Sequence, residues 1–487
     1  MRRLGILLLA VLLLAGCPAP SPTPQRAVAS PFPSALPTRT PPAAGPVDGS
    51  SQPVADPVYP EVGNPAIDVL RYELALDWRP DRRVLTGTAT LRVRMVLEAN
   101  GLRLDLASPL GVTQATIDGV AVSAGRQGER IVLPAGRQLA AGSTVTVVVR
   151  YTGTPSVVRF PGVRKDVDAL GAHIGKNGEL WSMQEPFGAY SWYPCSDQPS
   201  DKALYDVSIT TPTGWTGVTS GRFAGSEPAP DGSTTARWHA TEPIASYLVA
   251  LAVDRFKRHD LTGPRGVPIT LWVHPDDEAD MLPLLRETPD LLGWLERHFG
   301  PYPFASAGVV VVDDPSAMET QTMVTMGQLT GRRGVSVLLH ELAHQWFGDA
   351  VTPRTWQDVW LNEGFASYVE LLFSADRFGV DVRDQLYKWL LDERETRVRA
   401  GPAGRYDRNQ FGEHNVYFGP ALMLHEMRRM LGEQSFFAMV HDWVQHHRFT
   451  NQDRVSFTKW VSDYTGRDMS PVVTKWLDSP TVPAFPD

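Results

Sequence analysis

From about residue 58 the chain alternates apolar and polar positions with a period of two. Tyr72, Leu74, Leu76 and Trp78 form one such series, Leu91, Val93 and Met95 a second, and Val145, Val147 and Val149 a third. This alternation predicts half-buried β-strands. Pro80-Asp81, Asn100-Gly101 and Asp118-Gly119 are turn signals between the runs. The pattern predicts an all-β region reaching to about residue 255. Beyond Phe256 it becomes mixed. Residues 271–273 and 309–313 read as strands, and 281–298 as a helix. Two apolar runs of helical period follow, 335–349 and 356–373, with Gly348 and Pro353 breaking the chain between them. Another helix is predicted to start near Pro420, because proline suits the first turn.

The N-terminus has a different pattern. Two Arg precede a short apolar run that ends in small residues by position 17, as in a secretory signal. The run is too short for a comfortable membrane span. Residues 18–57 are rich in Pro with Ser, Thr and Ala, which predicts an extended, disordered tether without a packed core. The expected organisation is therefore signal 1–17, tether 18–57, a β domain 58–255 and a second domain 256–487. Net charge is −8 with no basic run, which argues against a nucleic-acid partner.

The chemistry concentrates in the first helical run, at His340-Glu341-Leu342-Ala343-His344. Residues four apart share a helix face, so His340 and His344 can grip one metal ion. Glu341 points about 100° away and can instead take a proton from a water on that metal. A catalytic zinc wants three protein ligands and an open position. On residues alone the third ligand stays open among Glu363, Asp349, Asp358 and Glu370. His441, His446 and His447 look like a second cluster, but none of them are three or four residues apart, and they read as a solvated face.

His-Glu-x-x-His, then 18 residues, then Glu363 inside Trp360-Leu-Asn-Glu-Gly-Phe-Ala366 closely resembles the gluzincin aminopeptidases of the aminopeptidase N type. The resemblance implies an α+β multidomain fold. An N-terminal antiparallel, sandwich-like β domain would precede a thermolysin-like, mainly helical catalytic domain. It implies one zinc on His340, His344 and Glu363, with Glu341 as general base on a zinc-activated water. Glu185, in a segment of family type, matches the residue that binds the substrate's free amine, although Met183 stands where the family often has Gln. Ala317-Met318-Glu319 matches a substrate-binding edge strand, with Ser316 and Thr320 replacing the family's Gly and Asn. Ser at 316 is less free at positive φ, which predicts a different local turn. Tyr417 matches the residue that stabilises the tetrahedral intermediate, with Gly419-Pro420 replacing the usual Lys/Arg-Gly. Long family members add a C-terminal helical domain; this chain resembles a short form without it, which implies a more open site.

These implications make a zinc aminopeptidase acting on peptides the expected function. The alternatives are an endopeptidase or epoxide hydrolase on the same site, or a surface binding protein with a lapsed site. Leu14-Ala15-Gly16-Cys17 also resembles the bacterial lipobox. That likeness implies export and lipidation of Cys17, anchoring the chain at the cell-surface or periplasmic face of a bacterial membrane. Cys195 would then have no disulfide partner and reads as a buried structural thiol.

Overall fold

The computed structural model describes residues 48–162 and 169–485. The signal, Cys17 and most of the tether lie outside the described residues. Residues 48–57, expected to belong to the tether, are among the described residues. Residues 48–57 run extended along the body. Ser51 donates from its backbone to Asp68 and from its hydroxyl to the Lys202 carbonyl, and Asp56 accepts from the Trp356 amide at 2.7 Å. The Asp68 side chain and the backbone of Lys202 and Trp356 supply these partners from elsewhere in the chain, so local proline content could not reveal them.

Strands Ile67–Arg79 and Val84–Met95 pair antiparallel at the middle of a nine-stranded sheet. Thr144–Gly153 joins one side antiparallel and Lys202–Thr211 the other side parallel. Tyr72, Leu74, Leu76 and Trp78 all face the core, as do the other two alternating series. A three-stranded sheet and a five-stranded sheet complete this region, the latter containing Leu180–Met183. Asp118 and Gly119 both adopt left-handed φ, at 50° and 80°, and close a hairpin. Asn100-Gly101, by contrast, is not a turn. It lies in strand Ala99–Asp105 at a register shift, where a Cβ on Gly101 would sit 2.5 Å from the Leu133 carbonyl oxygen.

A second five-stranded sheet spans residues 257–326 and ends in the two-residue edge strand Ala317–Met318. The helix expected over 281–298 is two helices, α1 (Glu278–Leu285) and α2 (Thr288–Phe299), because Pro289 starts a new helix. Then come α3 (Gly331–His344), α4 (Trp360–Phe378), α5 (Val382–Ala400), α6 (Phe418–Leu431), α7 (Glu433–His447), α8 (Arg454–Thr465) and α9 (Ser470–Asp478). Regular helix in α3 stops at His344, and an irregular turn carries the chain to Gly348 at φ 134°. One apolar core fills the strand-rich part and reaches across to Trp356 and Val416; a second lies among the helices.

The three C-terminal histidines are not one solvated face. His446 is exposed, but His447 packs its ring 4.2 Å from that of Trp443. Burial pulls the His447 imidazole down to about 4, and does the same to His298 and His425. The folded state therefore resists protons that the unfolded chain accepts below about 6.5. These groups contribute stability that is full above pH ~6.5 and lost as pH falls toward 4. Buried Asp197, pushed up to about 7, has the opposite sign. The check is thus a difference between variant and wild type. His447→Leu should lose about 1 kcal/mol less stability than wild type between pH 7 and 5 in urea titrations, after discounting for its partly wet position. Parallel pH curves would contradict this.

Candidate active site

Helices α3 and α4 pack side by side and bring the sequence-predicted residues together. His340 Nε2 lies 3.4 Å and His344 Nε2 3.6 Å from the same oxygen of Glu363. A tetrahedral ion with bonds of ~2.1 Å separates its ligand atoms by ~3.4 Å, so this donor set fits zinc. The far ring nitrogens are held too. His340 Nδ1 lies 3.2 Å from Glu370, and His344 Nδ1 3.1 Å from the Phe347 carbonyl oxygen. Such partners orient each ring so that Nε2 presents its lone pair. Glu370 therefore sits behind His340 rather than beside Glu363. Asp349 and Asp358 are engaged elsewhere, with Gln345 and Trp360.

The electrostatics match the geometry. Burial opposes charge on Glu363, but His344 and His340 outweigh it and hold the carboxyl well below its ordinary range. Burial also opposes charge on His340, yet Glu363 and Glu370 raise it. Glu341 is buried on α3, and desolvation pushes its carboxyl up despite the two imidazoles, which suits a base. The Tyr417 ring lies at the N-terminus of α6, with its centroid 6.4 Å from that of His340.

Glu185 and Glu319 reach this cluster from different parts of the fold. Oxygens of Glu185, Glu319 and Glu363 lie within 4.8 Å of one another, and all three residues are buried. Burial, followed by the neighbouring Glu185, pushes the Glu319 carboxyl well up. Glu319 follows the edge strand, where Ala317 and Met318 pair antiparallel with Met326 and Thr325. The substitutions in this segment are absorbed locally. Ser316 is not among the residues with positive φ, and the Thr320 hydroxyl bonds the Met323 carbonyl and Thr325. Cys195 is buried, its thiol is pushed well up by desolvation, and its backbone bridges Asp105, as expected of a structural thiol.

Several supporting residues were not visible in the sequence. Gln184 is fully buried. Its amide nitrogen donates to the Ser246, Tyr247 and Val249 carbonyls, and its oxygen accepts from Trp192, which locks the loop bearing Glu185. Gln345 donates to the Glu319 carbonyl at 3.1 Å and to Asp349 at 2.7 Å, while accepting from the Thr322 amide. It ties the segment that follows the edge strand to the C-terminal end of α3. Lys202, from the strand-rich region, donates to the Asp349 carbonyl and the Thr352 hydroxyl, both at 2.7 Å. Buried lysine and buried glutamines stand out only as polar residues inside apolar context, a signal too common to assign a role.

A strand-rich domain that lends an acidic loop to a His–His–Glu cluster on paired helices is the build of a two-part metallopeptidase. The chain belongs to peptidase family M1: residues 69–248 match the Peptidase M1 N-terminal domain and 285–476 the Peptidase family M1 domain. An M1 zinc metallopeptidase from Deinococcus radiodurans superposes with a TM-score of 0.78 at 28% identity, over 90% of this chain and 99% of that one. A variant of it bound to a Tyr-Ser-Ala substrate gives a TM-score of 0.77 at 28% identity, over 90% of this chain and 100% of that one. Mouse (Mus musculus) aminopeptidase N is 33% identical over 199 residues, covering 37% of this chain and 21% of its own length. Human (Homo sapiens) glutamyl aminopeptidase is 31% identical over 216 residues, covering 40% and 23%. The matched part thus spans about a fifth of these curated relatives. Zinc is the metal of this family, and the donor set here fits it.

Proposed function

We propose that the protein is a zinc-dependent aminopeptidase that removes the N-terminal residue of peptides, using a single ion. The observation that carries this reading is the convergence of Glu185 and Glu319 beside Glu363. A peptide's α-amine, with a pKa of ~7.7–8.0, is largely cationic at neutral pH. Two buried carboxylates facing the cluster would hold that cation and set the scissile bond one residue away. The names of the matched relatives, aminopeptidase N and glutamyl aminopeptidase, support the same reading.

His340, His344 and Glu363 would hold the ion. Bound there, zinc would act as a Lewis acid and lower the pKa of its water toward ~7. Glu341 takes the proton of the attacking water and passes it to the leaving amine. The Tyr417 hydroxyl donates to the developing oxyanion. The open backbone edge of Ala317–Met318 lines up the substrate main chain, as edge strands do. Metal analysis together with a panel of aminoacyl arylamides, each beside its N-acetylated form, tests the reading. About one zinc per chain and cleavage of free-amine substrates alone are expected. Equal cleavage of both forms would instead support an endopeptidase.

We also propose export and lipid anchoring through Cys17, which rests on the Leu14–Cys17 pattern. Among the described residues no helix is long and apolar enough to cross a membrane. Mature protein should partition into detergent, and Cys17→Ser should move it to the aqueous phase. Wild-type protein that is fully aqueous after export sinks the anchor.

A further inference from the structure

Tyr417 needs its hydroxyl at one distance from the His340–His344–Glu363 cluster, yet it caps the start of α6, a separate helix from either ligand helix. A contact between two residues without flexible side chains joins the start of that helix to α4. Gly364 directly follows the ligand Glu363 on α4 and is buried. A Cβ placed on it would lie 2.4 Å from Pro420 Cβ, and 3.5 Å from Pro420 Cα and carbonyl carbon. Pro420 is the third residue of α6, in the first turn, where its missing N–H costs nothing. Its ring is closed on the backbone and cannot rotate aside as a longer side chain could. Tyr417 is three residues before it, on the same side of the helix start.

The opposite side of this turn is equally close. A Cβ on Gly419 would lie 2.7 Å from Glu393 Oε1 and 3.1 Å from Arg397 Nη2. Those two form an ion pair whose side chains are both 0% exposed, and Arg397 also donates to the Trp476 and Ser479 carbonyls. The first turn of α6 is therefore wedged between α4 and α5, with glycine at a contact on each side. An added methyl group at either glycine must be taken up by a shift of this turn or of the groups facing it, and Tyr417 immediately precedes the turn.

We propose that the Gly364–Pro420 contact is a positioning device that fixes how far the Tyr417 hydroxyl stands from the His340–His344–Glu363 cluster. The inference rests on the reading of Tyr417 as the oxyanion donor. Neither Gly364 nor Pro420 touches substrate; both act through Tyr417.

The test uses metal content, kcat and KM on the free-amine arylamide that wild type cuts best. Gly364→Ala should keep its zinc and hold KM within about threefold, while kcat falls about 10- to 100-fold, as a displacement near 1 Å commonly costs. Adding Pro420→Gly removes the opposing Cβ and should restore most of kcat. Adding Pro420→Ala retains that Cβ and should restore little. In a Tyr417→Phe background, Gly364→Ala should cost almost nothing more, because the group it displaces is gone. Gly419→Ala pushes the same turn from the α5 side and should lower kcat alone, which provides a second variant if Gly364→Ala does not fold. Unchanged kcat in a folded Gly364→Ala protein, loss of zinc, or equal rescue by both Pro420 replacements would each overturn the proposal. So would full additivity with Tyr417→Phe. If Gly364→Ala does not fold, unchanged kcat in Gly419→Ala overturns it. A fully active Tyr417→Phe enzyme would remove the oxyanion role and the spacer together. A crippled Tyr417→Phe beside an active Gly364→Ala removes the spacer alone.

Discussion

Glu341→Gln is expected to keep its zinc and lose turnover by about a hundred- to ten-thousand-fold, the usual contribution of a positioned general base. The reason is the separation of roles on α3. His340 and His344 direct Nε2 at Glu363, and their other nitrogens are tied to Glu370 and the Phe347 carbonyl. Glu341 takes no part in those bonds, so the isosteric amide leaves the donor set intact. It removes only the basic oxygen that burial has made more proton-hungry. Metal analysis beside kcat separates the two effects. A Glu341→Gln protein that turns over at the wild-type rate would end the general-base assignment; one that has lost its zinc would place Glu341 in the binding of the ion.

Glu319→Ala carries the second large effect, because it divides aminopeptidase from endopeptidase. Removing one buried charge partner commonly costs about 2–5 kcal/mol, or roughly 30- to 4,000-fold in kcat/KM. Glu319 lies beside Glu185 and Glu363, and its main chain is pinned to α3 through Gln345. Loss of its carboxylate should cripple cleavage of free-amine peptides and leave the metal in place. Glu185→Ala should act in the same direction on the loop that Gln184 locks. The assay compares kcat/KM for a peptide and its N-acetylated twin. Wild type should discriminate strongly between them, and both variants should discriminate far less. Undiminished discrimination in Glu319→Ala would remove that residue from amine recognition.

Local pattern explains much of the fold. Period-two runs become strands because alternate residues must leave water on one face only, and Tyr72, Leu74, Leu76 and Trp78 do so. Where local reading failed, a distant partner was responsible. Asn100-Gly101 has the composition of a turn, but the Leu133 carbonyl lies so close that only glycine fits an otherwise continuous strand. Residues 48–57 look like tether, yet Asp68, Lys202, Ser200 and Trp356 supply bonding partners from elsewhere in the chain. The His441–His447 stretch looks polar, while Trp443 and Trp460 bury one of its rings.

The site divides along the same line. The spacing of His340, Glu341 and His344 is a property of one helix, and 3.6 residues per turn places the pair on one face whatever the rest of the fold does. That much the chain determined by itself. The third partner was not settled by residues alone, since Asp349, Asp358, Glu363 and Glu370 all lie near in sequence. Only the packing of α4 on α3 puts Glu363 before both Nε2 atoms and turns Glu370 to the rear of His340. The meeting of Glu185 with Glu319, the bracing by Gln345 and Lys202, and the gap between Gly364 and Pro420 are likewise tertiary. Each depends on two segments far apart in the chain that approach within van der Waals or hydrogen-bond distance, and no local periodicity encodes such a distance.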